Sequence, residues 1–321
     1  MIELADVHRT FDTKGRAQNG VVRAVDGVTL SIERGEVLGL LGHNGAGKTT
    51  VVRLIAGVLT PTKGKVRVDG QDPVADGVSV RRRLGVLPTG PFLDLRLTAR
   101  ANLRFAAELF GVPRDGLTER IERSLAEFDL TDRAEDRVEG FSAGMRQRLA
   151  LARVLLPEPE VLLLDEPSAQ LDPLAVRMVR ELIARLSREA GRTVVLCTHD
   201  LVEAQLLCDR VVVLDHGRVA AAGTPAELSA QLAAAAVEVE VAREDAETAR
   251  DILAKAVGAD AIEVVPGPNG STVLRGRGLP RHQLPELVGS LAAAHVRIYG
   301  VRPFEPSLED VYLALYAGRP A

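Results

Sequence analysis

Gly42-His43-Asn44-Gly45-Ala46-Gly47-Lys48-Thr49 is the stretch that decides how this chain folds. It fits the pattern G-x-x-x-x-G-K-[ST], and its flanks fit as well. Before it, Glu36-Val37-Leu38-Gly39-Leu40-Leu41 is an apolar run that reads as a buried strand. After it, Thr50-Val51-Val52-Arg53-Leu54-Ile55-Ala56-Gly57 reads as the first turns of a helix. A strand, a glycine loop and a helix in succession turn backbone N–H groups onto a phosphate, with the positive end of the helix dipole behind them. In that arrangement Lys48 reaches the outer phosphates and the Thr49 hydroxyl ligates Mg2+. A turn that bound nothing would have no use for Lys-Thr at its close.

A second constellation supports the first. Val161-Leu162-Leu163-Leu164-Asp165-Glu166 is an apolar strand that ends in two carboxylates. A buried strand holds Asp165 rigidly toward a Mg2+ shell. Glu166 then faces the side where a water is oriented and gives up a proton. Taken alone, this segment would also fit an ordinary strand end with a polar turn.

Composition bounds the remaining possibilities. The 321 residues suggest about two domains, and 46% hydrophobic content supports a sizeable core. No apolar run approaches the ~20 residues that span a bilayer. The N-terminus lacks the basic, apolar, small-residue order of a secretion signal. A net charge of −4 argues against a nucleic-acid partner. The two cysteines, Cys197 and Cys208, make neither a disulfide framework nor a metal spacing and read as buried or incidental thiols.

The first ~225 residues alternate strand and helix patterns, which predicts an α/β domain. Val161–Leu164 and Thr193–Leu196 are continuous apolar runs of the kind found in parallel strands buried on both faces. A polar stretch from Asp12 to Gly20 reads as an exposed turn, and 97–130 as helical with a break at Gly111-Val112-Pro113. Composition shifts near Ala230. From Val237-Glu238-Val239-Glu240-Val241 onward the pattern reads βαββαβ, followed by a helix over 307–316. The expected domains are therefore 1–231, a nucleotide-binding domain with a mixed sheet and a helical subdomain, and 232–321, a small α+β accessory or dimerisation domain.

Phe141-Ser142-Ala143-Gly144-Met145-Arg146-Gln147-Arg148 narrows the class. It resembles the signature sequence, LSGGQ or LSGGM followed by RQR, of ATP-binding cassette (ABC) transporter ATPases. Ser142 is also a good N-cap, so a capped amphipathic helix begins here in any reading. Ser168-Ala169-Gln170-Leu171-Asp172 is similar to the family's dimer-contact loop, and Thr198-His199-Asp200 to its switch histidine. Leu97–Leu103 and Pro306–Tyr312 look like segments of the bacterial drug-exporter subfamily.

The resemblance implies an ATPase that uses ATP and Mg2+. Gly42, His43, Asn44, Gly45, Ala46, Gly47, Lys48, Thr49 and Thr50 would hold the nucleotide. Ser142 and Gly144 would cap the γ-phosphate bound by a second subunit, with Asp172 in the dimer loop. Glu166 and His199 would be catalytic. Phe11 matches the aromatic that stacks on adenine, though a lone Phe after a strand is equally a core residue. The partners implied are a second ATPase subunit, expected as a homodimer, and a separate transmembrane permease. The implied location is the cytoplasmic face of a bacterial membrane, and the implied work is export of a drug, antibiotic or other hydrophobic solute. A soluble cassette ATPase without a transport role, or a regulatory nucleotide binder with weak hydrolysis, are the alternatives.

Three positions depart from the family pattern. Thr89 stands where a Gln usually ligates Mg2+, Ala143 replaces a signature Gly, and Gln170 replaces a Gly of the dimer loop. With Glu166 and His199 intact, hydrolysis is expected to survive.

Overall fold

The structure is a computed structural model describing residues 1–12, 20–89, 92–169, 171–232, 236–279, 281–304, 308–309 and 311–312. It divides into two compact units, Met1–Thr224 and Pro225–Ala321. The division precedes the position expected from composition, because β9 completes the large sheet at Gly223 and a helix starts at Pro225.

The first unit opens with β1 (Ile2–Asp12), β2 (Val21–Ile32), β3 (Val37–Leu41), α1 (Lys48–Ile55), β4 (Lys63–Val68), α2 (Gly77–Arg83) and β5 (Leu84–Leu87). Helices α3 (Ala99–Phe110), α4 (Leu117–Glu127) and α5 (Ala143–Leu155) form the helical part. Then come β6 (Val161–Asp165), α6 (Pro173–Arg188), β7 (Thr193–Cys197), α7 (Leu201–Leu207), β8 (Arg210–Asp215) and β9 (Arg218–Gly223). An antiparallel sheet has the order β2-β1-β4, and a six-stranded sheet has the order β5-β6-β7-β3-β8-β9. Every pair in the larger sheet is parallel except β8–β9.

Every residue of β3, β6 and β7 is buried. This is why those segments read as unbroken apolar runs rather than alternating ones. Parallel pairing has a second consequence: neighbouring strands end on the same edge. Thr89 follows β5, Asp165 ends β6, His199 follows β7 and the glycine loop follows β3. Residues far apart in sequence are thereby delivered side by side, at the carboxyl ends where open α/β sheets bind ligands.

The loop itself needs glycine at two places. Gly42 has φ +148° and Gly47 φ +111°. A Cβ on Gly47 would lie 2.4 Å from the Ala24 carbonyl oxygen, and one on Gly42 2.4 Å from that of Leu214.

The second unit runs α8 (Pro225–Leu232), β10 (Ala236–Val241), α9 (Ala246–Val257), β11 (Ile262–Pro266), β12 (Thr272–Arg277), α10 (Leu284–Ala293) and β13 (Ile298–Phe304). After α8 this is the βαββαβ order, folded as an antiparallel sheet β11-β12-β10-β13. Val237, Val239 and Val241 point one way and pack with Leu253 and Leu287 of the helices. Glu238, of opposite phase, is buried and pairs with Arg275 and Arg302. Burial alone would discourage its charge, but the two guanidiniums outweigh it and hold the carboxyl below its ordinary range. The turn expected over 12–20 and the helix expected over 307–316 fall mostly outside the described residues, as does Gln170.

Gly47→Ala is expected to destabilise the first unit by more than about 1 kcal/mol, since the methyl meets a carbonyl and the left-handed φ is strained. Denaturant unfolding of the variant checks it; an unchanged midpoint would contradict the geometry.

Candidate active site

Asp165 Oδ2 is the centre of the site. The Thr49 hydroxyl donates to it at 2.9 Å, and the Thr89 hydroxyl donates to the same oxygen at 2.9 Å. Thr49 comes from the first turn of α1, Asp165 from the end of β6, and Thr89 from the segment after β5. Asp165 is only 3% exposed, so these hydroxyls supply the donors that a buried carboxylate requires. All three residues named as metal ligands from sequence therefore meet at one point. Three oxygens in such a cluster suit a hard cation such as Mg2+, whose remaining positions are filled by water and phosphate.

Lys48 is buried, and its Nζ donates to the carbonyls of Gly42 at 2.6 Å and His43 at 3.3 Å. The ammonium thus folds back over the loop. Gly47 caps α1 without any side-chain hydrogen bond. The first-turn amides, including those of Thr49 and Thr50, are not satisfied by a side-chain cap and remain suited to an anion. Asn44 and Gly45 are exposed at the loop tip, while Ala46 is fully buried beneath it.

Glu166 adopts a left-handed backbone, with φ +54°, and its N–H donates to Cys197 O at 2.8 Å. Strain of this sort in a non-glycine residue concentrates at functional sites. Its Oε2 accepts from His199 Nδ1 at 2.8 Å. The carboxylate lies mostly inside, at 16% side-chain exposure, while the imidazole stands out at 71%. With Nδ1 committed to Glu166, Nε2 is the ring atom left to face a ligand.

The signature segment is built as a helix start. Ser142 Oγ accepts from Met145 N at 3.2 Å and caps α5. Ala143 is exposed in the first turn. A Cβ on Gly144 would come within 4.0 Å of Asp172 Oδ2, so signature and dimer loop are neighbours. Asp172 itself caps α6, accepting from Ala175 N at 3.0 Å. Phe11 lies near the end of β1, half-buried and outside the core, with the Arg9 guanidinium 4.7 Å from its ring centroid. One aromatic face is therefore covered by a cation rather than by core side chains.

Two further residues tie the site together, and nothing local in the sequence says that they turn inward. Buried Gln147 donates from Nε2 to Pro167 O at 2.8 Å, joining the signature helix to the turn after Glu166. Glu203, 1% exposed, accepts from the Ser168 hydroxyl and so joins α7 to the dimer loop. The spacing Asp200-x-x-Glu203 marks a helix start, and Asp200 Oδ1 does accept from Glu203 N at 2.9 Å. The glutamate then turns inward instead of reaching solvent. Both cysteines are buried, and burial pushes their thiols up, away from reactivity.

Comparison with known proteins agrees with this geometry. A family model described as "ABC transporter" matches residues 25–169. The ATP-binding protein NatA of Bacillus subtilis is 43% identical over 68% of this chain and 87% of its own length. The daunorubicin/doxorubicin resistance ATP-binding protein DrrA of Streptomyces peucetius is 35% identical over 98% of this chain and 94% of its own. This chain belongs to the ABC transporter ATP-binding proteins. It is an ATP-hydrolysing cassette subunit. Among solved structures, the cassette MJ0796, a dimer in a post-hydrolysis state with ADP and Pi, superposes with a TM-score of 0.64. That likeness has 27% identity and covers 70% of this chain and 98% of the other. The family is broad: a methionine import ATP-binding protein of Bacillus cereus is 36% identical over 71% of the chain. Membership alone therefore does not set the direction of transport.

Burial holds the Glu203 carboxyl above its ordinary pKa, and nearby Asp200 adds to this, while Ser168 and Thr198 partly offset it. A raised folded-state pKa gives stability that is complete below the ordinary carboxylate range and is lost as pH rises through the raised value. Glu203→Gln removes that loss while keeping an acceptor for Ser168. The variant should melt above the wild type at pH 8, with the gap closing toward pH 5. Equal gaps at both pH values in thermal denaturation would contradict the assignment.

Proposed function

We propose that this cassette powers export of a hydrophobic, drug-like solute through a separate permease. The observation that carries the reading is full-length similarity: the match to the daunorubicin/doxorubicin resistance protein spans 98% of the chain, so it includes the second unit. The import-type relative aligns with 71%. Among the described residues no helix is long and apolar enough to cross a membrane, so the translocation path would belong to another polypeptide.

An apolar cleft of ≈ 510 Å³ beside the site supports such coupling. It is lined by Val58, Phe92 and Phe110, all exposed, and reaches Thr89 and Asp165 at its inner end. A permease helix seated there would touch the metal group directly. Pairing with a second cassette is supported by relatives solved as dimers. In such a pair Ser142 and Gly144 would face the partner's phosphate. We assign the second unit an accessory role, holding subunits together.

The chemistry follows from the residues. Lys48 exchanges its loop carbonyls for phosphate oxygens, a charge-assisted contact in place of a neutral one. Thr49, Asp165 and Thr89 would hold Mg2+, which would offset phosphate charge. Glu166 takes the proton of the attacking water as general base. His199 holds Glu166 through Nδ1 and presents Nε2 to the γ-phosphate. Donation from both nitrogens at once requires the imidazolium form.

Glu166→Gln keeps the shape and the acceptor for His199 but removes the base. Turnover should fall 100-fold or more, since such catalysis contributes about 10²–10⁴, while ATP affinity is retained. Inside-out vesicles carrying the chain with its permease should accumulate an anthracycline in the presence of ATP, and the variant should not. ATP-driven uptake of a polar amino acid instead, with no anthracycline uptake, would overturn the export reading. Wild-type turnover in Glu166→Gln would overturn the base assignment.

A further inference from the structure

We propose that His43, Asp215 and His216 form a binding site for one divalent transition-metal ion of the Zn2+ type, separate from the Mg2+ group at Asp165. The three side chains converge although they come from different segments. His43 belongs to the phosphate loop after β3, and Asp215 and His216 end the neighbouring strand β8 and begin its hairpin turn. Their donor atoms all lie within 4.8 Å of one another. His43 Nε2 is 3.4 Å from Asp215 Oδ1, and His216 Nε2 is 3.8 Å from the same oxygen. Bonds of about 2.0–2.2 Å in a tetrahedral site place neighbouring donors about 3.4 Å apart. One edge already has that length and the others need small side-chain rotations.

The tautomer of His43 strengthens the case. Its Nδ1 lies 2.8 Å from the Asn44 carbonyl oxygen, which only accepts, so Nδ1 must carry the hydrogen. In the neutral ring Nε2 then presents a lone pair to the Asp215 carboxylate. A backbone carbonyl that fixes the distal ring N–H is also the usual outer partner of a metal-binding histidine. Two imidazoles and one carboxylate, with a fourth position open to water, form a ligand set of the Zn2+ kind rather than the Mg2+ kind.

The frame around the trio is rigid and the approach is open. Gly217 N donates to Ala46 O at 2.9 Å, and Asp26 N donates to Gly217 O at 2.8 Å, so the hairpin and the loop are already fastened together. Asp215 is 10% exposed, whereas His43 and His216 are 36% and 79% exposed, which leaves an entry path on the imidazole side. An ion here would clamp the phosphate loop to the β8–β9 turn by its side chains.

Calorimetric titration of the full chain with ZnCl2 tests this, with excess Mg2+ present to occupy the Asp165 group. His216→Asn is the informative variant. Asn accepts the left-handed φ of +46° at this turn, and the residue is not among those assigned to ATP binding or hydrolysis above. The wild type should bind one equivalent of Zn2+. His216→Asn should bind it tenfold or more weaker while keeping its ATPase rate in Mg2+ buffer freed of Zn2+. Asp215→Asn should show the same loss of Zn2+. Titration curves that coincide for wild type and His216→Asn, or a wild type that takes up no Zn2+, would overturn the site and leave a histidine–aspartate pair that shares only a proton.

Discussion

One carboxylate oxygen, Asp165 Oδ2, accepts two hydroxyl hydrogen bonds, and the candidate site is organised around it. Its position is fixed by sheet register. Leu87 pairs with Leu164, and Asp165 with Cys197, so the segments after β5, β6 and β7 emerge at the same level. A slip by one residue in β6 would turn Asp165 to the opposite face. The buried apolar runs of β3, β6 and β7 prevent that slip, because it would drag several large side chains out of register. Core packing thus sets the geometry of polar chemistry at the sheet edge.

The turn after β6 also ties the parts of the site to one another. Glu166 is joined to β7 through its backbone and to His199 through its side chain. Gln147 joins α5 to the turn after Glu166, and Ser168 joins that turn to Glu203 on α7. The signature helix, the dimer loop and the switch histidine therefore share one short segment. A displacement of the signature helix would be felt at Glu166 through a single buried amide. Buried polar links of this kind are costly when only partly satisfied, which favours discrete rearrangement over gradual drift.

Much of this was legible in the sequence, for identifiable reasons. The glycine loop, the carboxylate pair after an apolar strand and the Ser142 cap are local patterns, and local backbone physics enforces them. The alternation of Val237, Val239 and Val241 gave the second unit its sheet, since period two follows directly from the pleat. Long-range partners were not legible. Nothing local to Gln147 or Glu203 says that either turns inward. The pose of Lys48 on its own loop carbonyls also depends on tertiary packing. Thr89 stands at the place of a usual glutamine. Its direct bond to Asp165 could emerge only once β5 and β6 were placed side by side. Phe11 fits adenine stacking and the core equally well in the sequence, and only the fold shows that it lies outside the core.

The central claim is that Thr49, Asp165 and Thr89 act together on one metal ion. The most direct measurement is Mn2+ affinity, read by electron paramagnetic resonance with a non-hydrolysable ATP analogue bound, in wild type, Thr49→Val and Thr89→Val. The account predicts weaker Mn2+ binding in both variants, by about tenfold for the loss of a hydrogen-bonded oxygen worth ~1.4 kcal/mol, with analogue affinity measured without metal unchanged. Wild-type Mn2+ affinity in Thr89→Val would show that Thr89 only caps Asp165 and takes no part in holding the ion.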